Sequence, residues 1–486
     1  MKIIVYSAMD ARTVVESFGE PEYSYYFVLR EFLPLLDSIG TVVSISDPAR
    51  EVDPLYQAAC ASGENCIFLS FTPPHLTQTN LACPTFPVFA WEFSSMPTEA
   101  WWPEHPEHDW RYCLAKCAGA IVHSQQSAQC VRDIMGANFP VVAIPAPLWD
   151  RMSTMRSALK LSQGERRESL ELSAGMVFDT RDTDKERWLP SDAETINMIA
   201  ESYGKPLPAS SNSKTTGGFI DITRRHAALW YQSVLAERIP NALQHKLDTW
   251  ATWANPKAAG RRSVTLDGVI FTSVFNPLDG RKNWSDMLTG FCAEFEHEPD
   301  ATLVLKLGHH RYSEAIEHML LALKRLGDFK CRVVLLFGFL PDDSYVRLMQ
   351  QTDFIVNTSH GEGQCLPLME YLSCGKPAIA PYHSALADYI DENVAFVVDS
   401  WADAAAWPHD PRIAYRTLRQ QLNWNSVCRA YRAAFDCYRL QPEDYQRRST
   451  AAIERMHQHC SLEVARQRLT SLFAQAISPK LKETSP

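Results

Sequence analysis

Short apolar runs alternate with helix-length amphipathic stretches, and the alternation occurs twice along the chain. The first series is Ile3–Tyr6, Thr41–Ser44, Cys66–Phe71, Phe86–Trp91 and Gly119–Val122; the second is Val269–Phe275, Thr302–Leu307, Arg332–Phe337, Phe354–Asn357 and Ala378–Ala380. Between them lie helical stretches such as Trp110–Ala118, Ser127–Met135, Asp286–Phe295, Ser313–Leu326, Asp343–Gln351 and Leu366–Ser373. Strands this short and apolar are buried on both faces, which requires parallel sheets covered by helices. The pattern predicts an α/β chain of two doubly wound parallel-sheet domains. Ligands of such sheets bind outside the carboxyl ends of the strands, so the cleft expected between the two halves is where function should lie.

The first series predicts a domain over residues 1–150 and the second a domain over 266–410. Residues 151–265 break the rhythm and read as an insertion or interdomain segment. Within it, Pro208–Gly218 has the composition of a loop, and Ala227–Asp248 reads as helix broken at Pro240. Residues 411–486 read as a helical tail carrying Arg412, Arg416, Arg419, Arg429, Arg432 and Arg439. That tail would either close back over both domains, make a peripheral contact with anionic lipid, or present an ordinary exposed face. A length of 486 residues, 46% hydrophobic and 21% charged, suits two such cores and excludes wholesale disorder.

A formal net charge of −10 argues against nucleic acid as the partner. The 13 cysteines are scattered without CxxC spacing, which fits free thiols in a reducing cytoplasm better than a disulfide framework or a zinc ribbon. The opening Met1–Asp10 lacks a signal-peptide core, and no apolar run approaches the ~18 residues of a spanning helix. No GxGxxG, GxxxxGK[ST] or GxSxG run is present, which argues against dinucleotide, P-loop and serine-hydrolase chemistry.

The informative segment is Asn357-Thr358-Ser359-His360-Gly361-Glu362-Gly363-Gln364-Cys365-Leu366-Pro367-Leu368-Met369-Glu370. A strand ends at Asn357, a glycine-bracketed loop follows, and a helix begins near Leu366 with Pro367 in its first turn. The amides of that turn, with the positive end of the helix, suit a diphosphate. Glu362 and Glu370 add two carboxylates able to accept bonds from vicinal hydroxyls. Phosphate cradle and paired carboxylates together suit a nucleotide sugar.

This run resembles the E-x7-E signature of the retaining GT-B glycosyltransferases, the GT4-like group 1 family. The continuation Tyr371-Leu372-Ser373-Cys374-Gly375-Lys376-Pro377-Ala378-Ile379-Ala380 resembles that family's helix end, Gly-x-Pro turn and next strand. The resemblance implies a GT-B fold of two Rossmann-like domains facing a cleft. It also implies a metal-independent hexosyltransferase with no cofactor beyond its nucleotide-diphosphate-sugar donor. Glu362 would contact the transferred sugar and Glu370 the ribose, and the backbone of Gly363, Gln364, Cys365 and Leu366 would face the phosphates. The family's loop usually reads Glu-Gly-Phe-Gly, so Gln364 and Cys365 are departures.

The family also carries an Arg just after the first strand of this domain and a Lys opening the next helix. In Phe275-Asn276-Pro277-Leu278-Asp279-Gly280-Arg281-Lys282-Asn283-Trp284 the Lys is matched by Lys282, while Val274–Asn276 stand where the Arg would be. Arg281 or Lys306 could supply the second positive charge, because a diphosphate leaving group needs cations when no metal serves it.

The N-terminal half resembles the family more weakly. Phe86–Pro97 looks like the Trp-Glu version of its strand and loop, with Trp91-Glu92 where many relatives place a His. That assigns Glu92 and Trp91 to acceptor binding, with a capping or ion-paired carboxylate as the equal alternative for Glu92. Weaker candidates are His105, His108 and Asp109, His309-His310, the Asp179/Asp182/Asp184 run, and the loop Gly19–Tyr23. The implied acceptor is a glycan or lipid-linked saccharide, the implied setting cell-surface polysaccharide or glycoconjugate synthesis in the cytoplasm or at the inner membrane face. The rival reading is a non-catalytic GT-B relative that binds sugar or scaffolds a polysaccharide assembly; another GT-B enzyme, such as a nucleotide-sugar epimerase or a phosphorylase, is the third.

Overall fold

Ile3, Ile4 and Val5 are all fully buried, so both faces of the first strand are covered, as its unbroken apolar run requires. In this computed structural model the described residues are 1–8, 23–161, 169–171, 174–182, 189–202, 227, 231, 246–247, 250, 263–308, 312–340 and 342–477. They belong to two units. One combines described residues of Met1–Ser157, Ser359–Asn423 and Gln446–Pro486; the other combines those of Ala158–Thr358 and Trp424–Tyr445.

In the first unit, β1 (Lys2–Ser7), β2 (Thr41–Ser44), β3 (Cys66–Phe71), β4 (Thr85–Phe89), β5 (Ala120–Val122) and β6 (Val141–Ala143) form a sheet in the order β2-β1-β3-β4-β5-β6. Every pair is parallel; Lys2 faces Thr41 on one side and Cys66 on the other. The core on one face joins Ile3, Val5, Ile67 and Leu69 to Ala465, Leu469, Leu472 and Phe473 of the helix Leu462–Ile477. Those four recur at helical spacing, so the last helix lays its apolar stripe on the first sheet. The other face packs Phe89, Trp91, Trp110 and Val131 with Trp407.

In the second unit, β7 (Leu170–Glu171) pairs antiparallel with β9 (Ser263–Val264). The strands β8 (Ala174–Asp179), β10 (Val269–Phe275), β11 (Ala301–Leu307), β12 (Arg332–Phe339) and β13 (Phe354–Val356) lie in the order β13-β10-β11-β12-β8. Only β8 runs antiparallel, with Ala174 opposite Phe339 and Asp179 opposite Val334. An aromatic core of Phe271, Phe291, Phe295 and Phe354 receives Tyr431 from the helix Trp424–Leu440.

The remaining strands, β14 (Ala378–Pro381), β15 (Ala395–Val398), β16 (Ser400–Ala406) and β17 (Tyr415–Leu422), fall in the first unit; β14 and β15 are parallel, β16 and β17 an antiparallel hairpin.

Three findings depart from the sequence expectations. Part of the expected insertion is sheet: β8 edges the second sheet, held by a buried bidentate pair between Arg332 and Asp179, at 2.7 Å for Nη2 to Oδ2. The tail is not helical from Pro411, because β17 precedes the helix Trp424–Leu440. Thr417 is buried while Arg416 and Leu418 are exposed, and the Leu418 N–H donates to Ser94 Oγ at 3.0 Å. Finally, the loop and helix after β13 fall in the first unit. The Ala146 N–H donates to Gln364 Oε1 at 3.0 Å, and the Gln125 N–H to Asp388 Oδ2 at 2.8 Å. Side-chain bonds across more than 200 residues decide that boundary. The loop Pro208–Gly218 lies outside the described residues, as does most of Ala227–Asp248.

Candidate functional site

The segment singled out in the sequence forms a tight loop and then the helix Leu366–Ser373, with Pro367 in the first turn. Its two glycines are forced by close approach to the end of β4. A Cβ on Gly361 would stand 2.8 Å from the Glu92 carbonyl oxygen, and one on Gly363 would stand 2.6 Å from the Ala90 Cβ. Both distances are inside contact, so the loop lies against Ala90–Glu92 only because side chains are missing there.

Glu362 is 3% exposed. The Ser359 hydroxyl donates to its Oε1, its own N–H donates to Ser384 Oγ at 3.0 Å, and its carbonyl accepts from the Ala385 N–H at 3.2 Å. The carboxylate is therefore set in place by the loop before it and the turn after β14. Gln364 acts through both ends: its side-chain oxygen takes the Ala146 N–H, and its carbonyl takes the buried Tyr389 hydroxyl at 2.7 Å. Cys365 caps the helix at φ 63°, in the left-handed region that disfavours side chains. Leu366 packs at the edge of the first core.

Glu370 lies one turn into the helix, and its Oε1 accepts from Arg151 Nη2 at 2.8 Å. The Nε of the same guanidinium donates to Glu31 Oε2 at 2.8 Å, and Glu31 is 4% exposed. Burial pulls on the Arg151 proton, but the carboxylates of Glu370 and Glu31 outweigh it and hold the guanidinium above its ordinary range. Arg151 and Glu31 were invisible as site residues in the sequence. Neither sits in a motif, and 120 residues separate them.

Glu92 places its backbone carbonyl against Gly361. Trp91 is core: its ring packs 4.6 Å from Trp110 and 5.3 Å from Phe93, and its Nε1 donates to the Ser95 carbonyl at 2.8 Å. His383, which follows β14, is buried beside Glu362; burial lowers its pKa to about 4 despite the neighbouring carboxylate.

The basic candidates all lie in the second unit, around the carboxyl ends of β10 and β11. Lys306 stands opposite Val274 in the parallel register. It is 7% exposed and donates to the Leu307 carbonyl at 3.4 Å, and burial lowers its pKa to about 8. Asn276 Oδ1 accepts from the Leu278 N–H at 3.0 Å, shaping the turn after β10. Arg281 forms a bidentate pair with Asp279, at 3.1 and 2.7 Å. Lys282 closes the short turn Gly280–Lys282, and the Thr358 hydroxyl anchors the next residue through the Asn283 carbonyl at 3.0 Å.

Other candidates have structural partners. Asp109 caps the helix Trp110–Leu114, His105 meets Glu107 at 2.8 Å, and His108 stacks on Trp101. Asp179 pairs with Arg332. Residues Asp184, His309, His310 and Gly19–Glu22 lie outside the described residues. Among the described residues no group of three or more His, Cys, Asp or Glu is arranged to hold a metal ion. Several tail arginines are ion-paired: Arg412 and Arg416 share Glu99, Arg419 faces Asp403, and Arg432 and Arg439 pair with Glu294 and Asp300. No helix among the described residues is long and apolar enough to cross a membrane.

Residues 332–409, which include Glu362 and Glu370, match the family model for glycosyl transferases group 1. No curated protein matches the chain. Among solved structures, a glycosyltransferase from Rickettsia africae aligns over 98% of this chain and 99% of its own, at 10% identity and a TM-score of 0.50. The N-terminal domain of a Candida albicans trehalose-6-phosphate phosphatase aligns over the same shares, at 9% identity and a TM-score of 0.50. Anabaena Alr3699/HepE, solved with UDP and glucose, aligns over 98% of this chain and 100% of its own, at 11% identity and a TM-score of 0.46. The first two likenesses support a shared fold.

Proposed function

With a glycosyl transferases group 1 domain at residues 332–409 as the premise, we propose that the chain is a retaining, metal-independent hexosyltransferase. Its donor is a nucleotide-diphosphate sugar and its acceptor a glycan or lipid-linked saccharide, in cytoplasmic synthesis of cell-surface polysaccharide or glycoconjugate. The observation that carries this reading is the fixed pair Glu362 and Glu370 on one loop and helix, each carboxylate held by a named partner. A pre-oriented carboxylate loses no rotamer freedom on binding, so it discriminates hydroxyl positions at low entropic cost.

In this reading Glu362 accepts from hydroxyls of the transferred sugar and Glu370 from the ribose. The amides of Gly363, Gln364, Cys365 and Leu366 face the diphosphate at the positive end of the helix. Lys282, with Lys306 and Arg281, stabilises charge on the leaving diphosphate, and Asn276 shapes the turn that carries them. Glu92 serves the acceptor, while Trp91 supports that strand end from the core. Retention follows by front-face attack: the acceptor hydroxyl oxygen bonds to the anomeric carbon as the bond to phosphate breaks, and the departing phosphate oxygen takes the proton.

Release of nucleotide from a panel of UDP-, GDP-, dTDP- and ADP-sugars, with and without EDTA, tests the proposal. Turnover that survives EDTA is expected. Glu370→Ala should weaken nucleoside diphosphate binding by about 10-fold or more, the loss of a charge-assisted contact. Lys282→Ala should act mainly on kcat. Unchanged kinetics in both variants would remove the site assignment. The scaffold reading draws on Cys365, whose side chain stands at a helix cap where phosphate would approach the backbone; binding without turnover would favour it.

A further inference from the structure

We propose that His383 is a sugar-reading residue of the donor site, offering its Nε2 to a hydroxyl of the transferred sugar next to the hydroxyl taken by Glu362. The inference rests on the glycosyltransferase reading above and extends it to a residue outside the E-x7-E segment.

His383 follows β14 and is 6% exposed. Its Nδ1 lies 3.1 Å from Ser384 Oγ, and that oxygen already accepts the Glu362 N–H at 3.0 Å. With the Ser384 hydroxyl donating to Nδ1, the ring proton lies on Nε2. Nε2 is buried and makes no hydrogen bond in the protein. A buried N–H without a partner is costly, and this one stands beside the Glu362 carboxylate, where a bound hydroxyl oxygen would supply the partner. Around the ring stand the Glu362 carboxylate, His360 and the Ser359 backbone, which attracts the ring N–H without meeting Nε2 at hydrogen-bond geometry.

The chemistry of the partner follows from charge. Burial keeps the ring neutral at physiological pH, so it presents one neutral donor, suited to a hydroxyl oxygen more than to a phosphate. Glu362 can only accept. An acceptor and a donor side by side read a vicinal diol, one hydroxyl giving its proton to Glu362 and the next receiving the proton of Nε2. Ser384, at φ 49°, holds the left-handed backbone that keeps the ring and the Glu362 amide on one oxygen.

The test uses the full chain and the nucleotide sugar it turns over from the panel above. Wild type, His383→Ala and His383→Gln are compared on that donor and on its monodeoxy analogues, and by calorimetry on the free nucleoside diphosphate. His383→Ala should lose about 10–100-fold in kcat/KM on the parent donor. It should match wild type on one deoxy analogue and bind the nucleoside diphosphate as wild type does. His383→Gln, which keeps a donor on a similar reach, should recover part of the loss, and stands in if the alanine variant does not fold. An equal penalty on every analogue, or weakened nucleoside diphosphate binding, overturns the assignment. A wild type that binds no nucleotide sugar overturns the glycosyltransferase reading as well, which separates the two failures.

Discussion

Cys365 shows how much one residue can hold against local preference. A side chain at φ 63° costs about 1–2 kcal/mol, and glycine would return about 0.5–1 kcal/mol of that through its looser unfolded state. Cys365→Gly is therefore expected to raise stability by about 0.5–1 kcal/mol, read as a higher urea midpoint at unchanged slope, with Cys365→Ala giving no such gain. No rise in the glycine variant would mean the cap is not strained. Gln364 accounts for its own departure from the family's loop, since its side chain ties the loop to Ala146 and a phenylalanine could not. The Glu362–Glu370 spacing was legible in the sequence because both residues lie within one loop and helix. Arg151, which grips Glu370, was not legible, because its contact joins residues 219 positions apart.

Elements carry the next level of interdependence. The helix Leu462–Ile477 contributes Leu469, fully buried, to the core of β1 and β3, which lies more than 390 positions earlier in the chain. Leu469→Ala should cost about 2–5 kcal/mol, from lost transfer energy and the cavity left behind. Chemical denaturation followed by far-UV circular dichroism would show it; a loss below about 1 kcal/mol would mean the helix is not part of that core. Helix Leu366–Ser373 was readable with its ends intact, since Pro367 and the periodic apolar residues mark it locally. The hairpin of β16 and β17 was missed because its Arg- and Gln-rich strand has weak alternation. Its placement comes from Ser94, Ser95 and Glu99, which meet it through Leu418, Thr417, Arg412 and Arg416.

For the whole molecule, pH provides a global readout of one buried group. Lys306 has its pKa lowered from 10.5 to about 8 by burial, so between those values the unfolded chain holds a proton that the folded chain releases. Stability contributed through Lys306 is therefore expected to rise with pH from about 8 to about 10.5 and to be flat below that window. Lys306→Met should remove this slope, as measured by denaturation midpoints across pH 7–10.5; an identical profile in both proteins would show that the amine is solvated. The two series of apolar strands were set by the sequence itself, since a short unbroken apolar run must be buried on both faces, as strands of a helix-covered parallel sheet are. The E-x7-E carboxylates and their helix were likewise local, and local patterns survive without knowledge of the rest of the chain. Tertiary structure alone decided that β8 joins the second sheet, that the Glu362 loop belongs with the first unit, and that Arg151 and His383 stand at the paired carboxylates. Each of those outcomes turns on a bond or a burial between distant residues. Sequence periodicity records which face of an element is apolar, and it carries no information on which distant polar partner will meet that element.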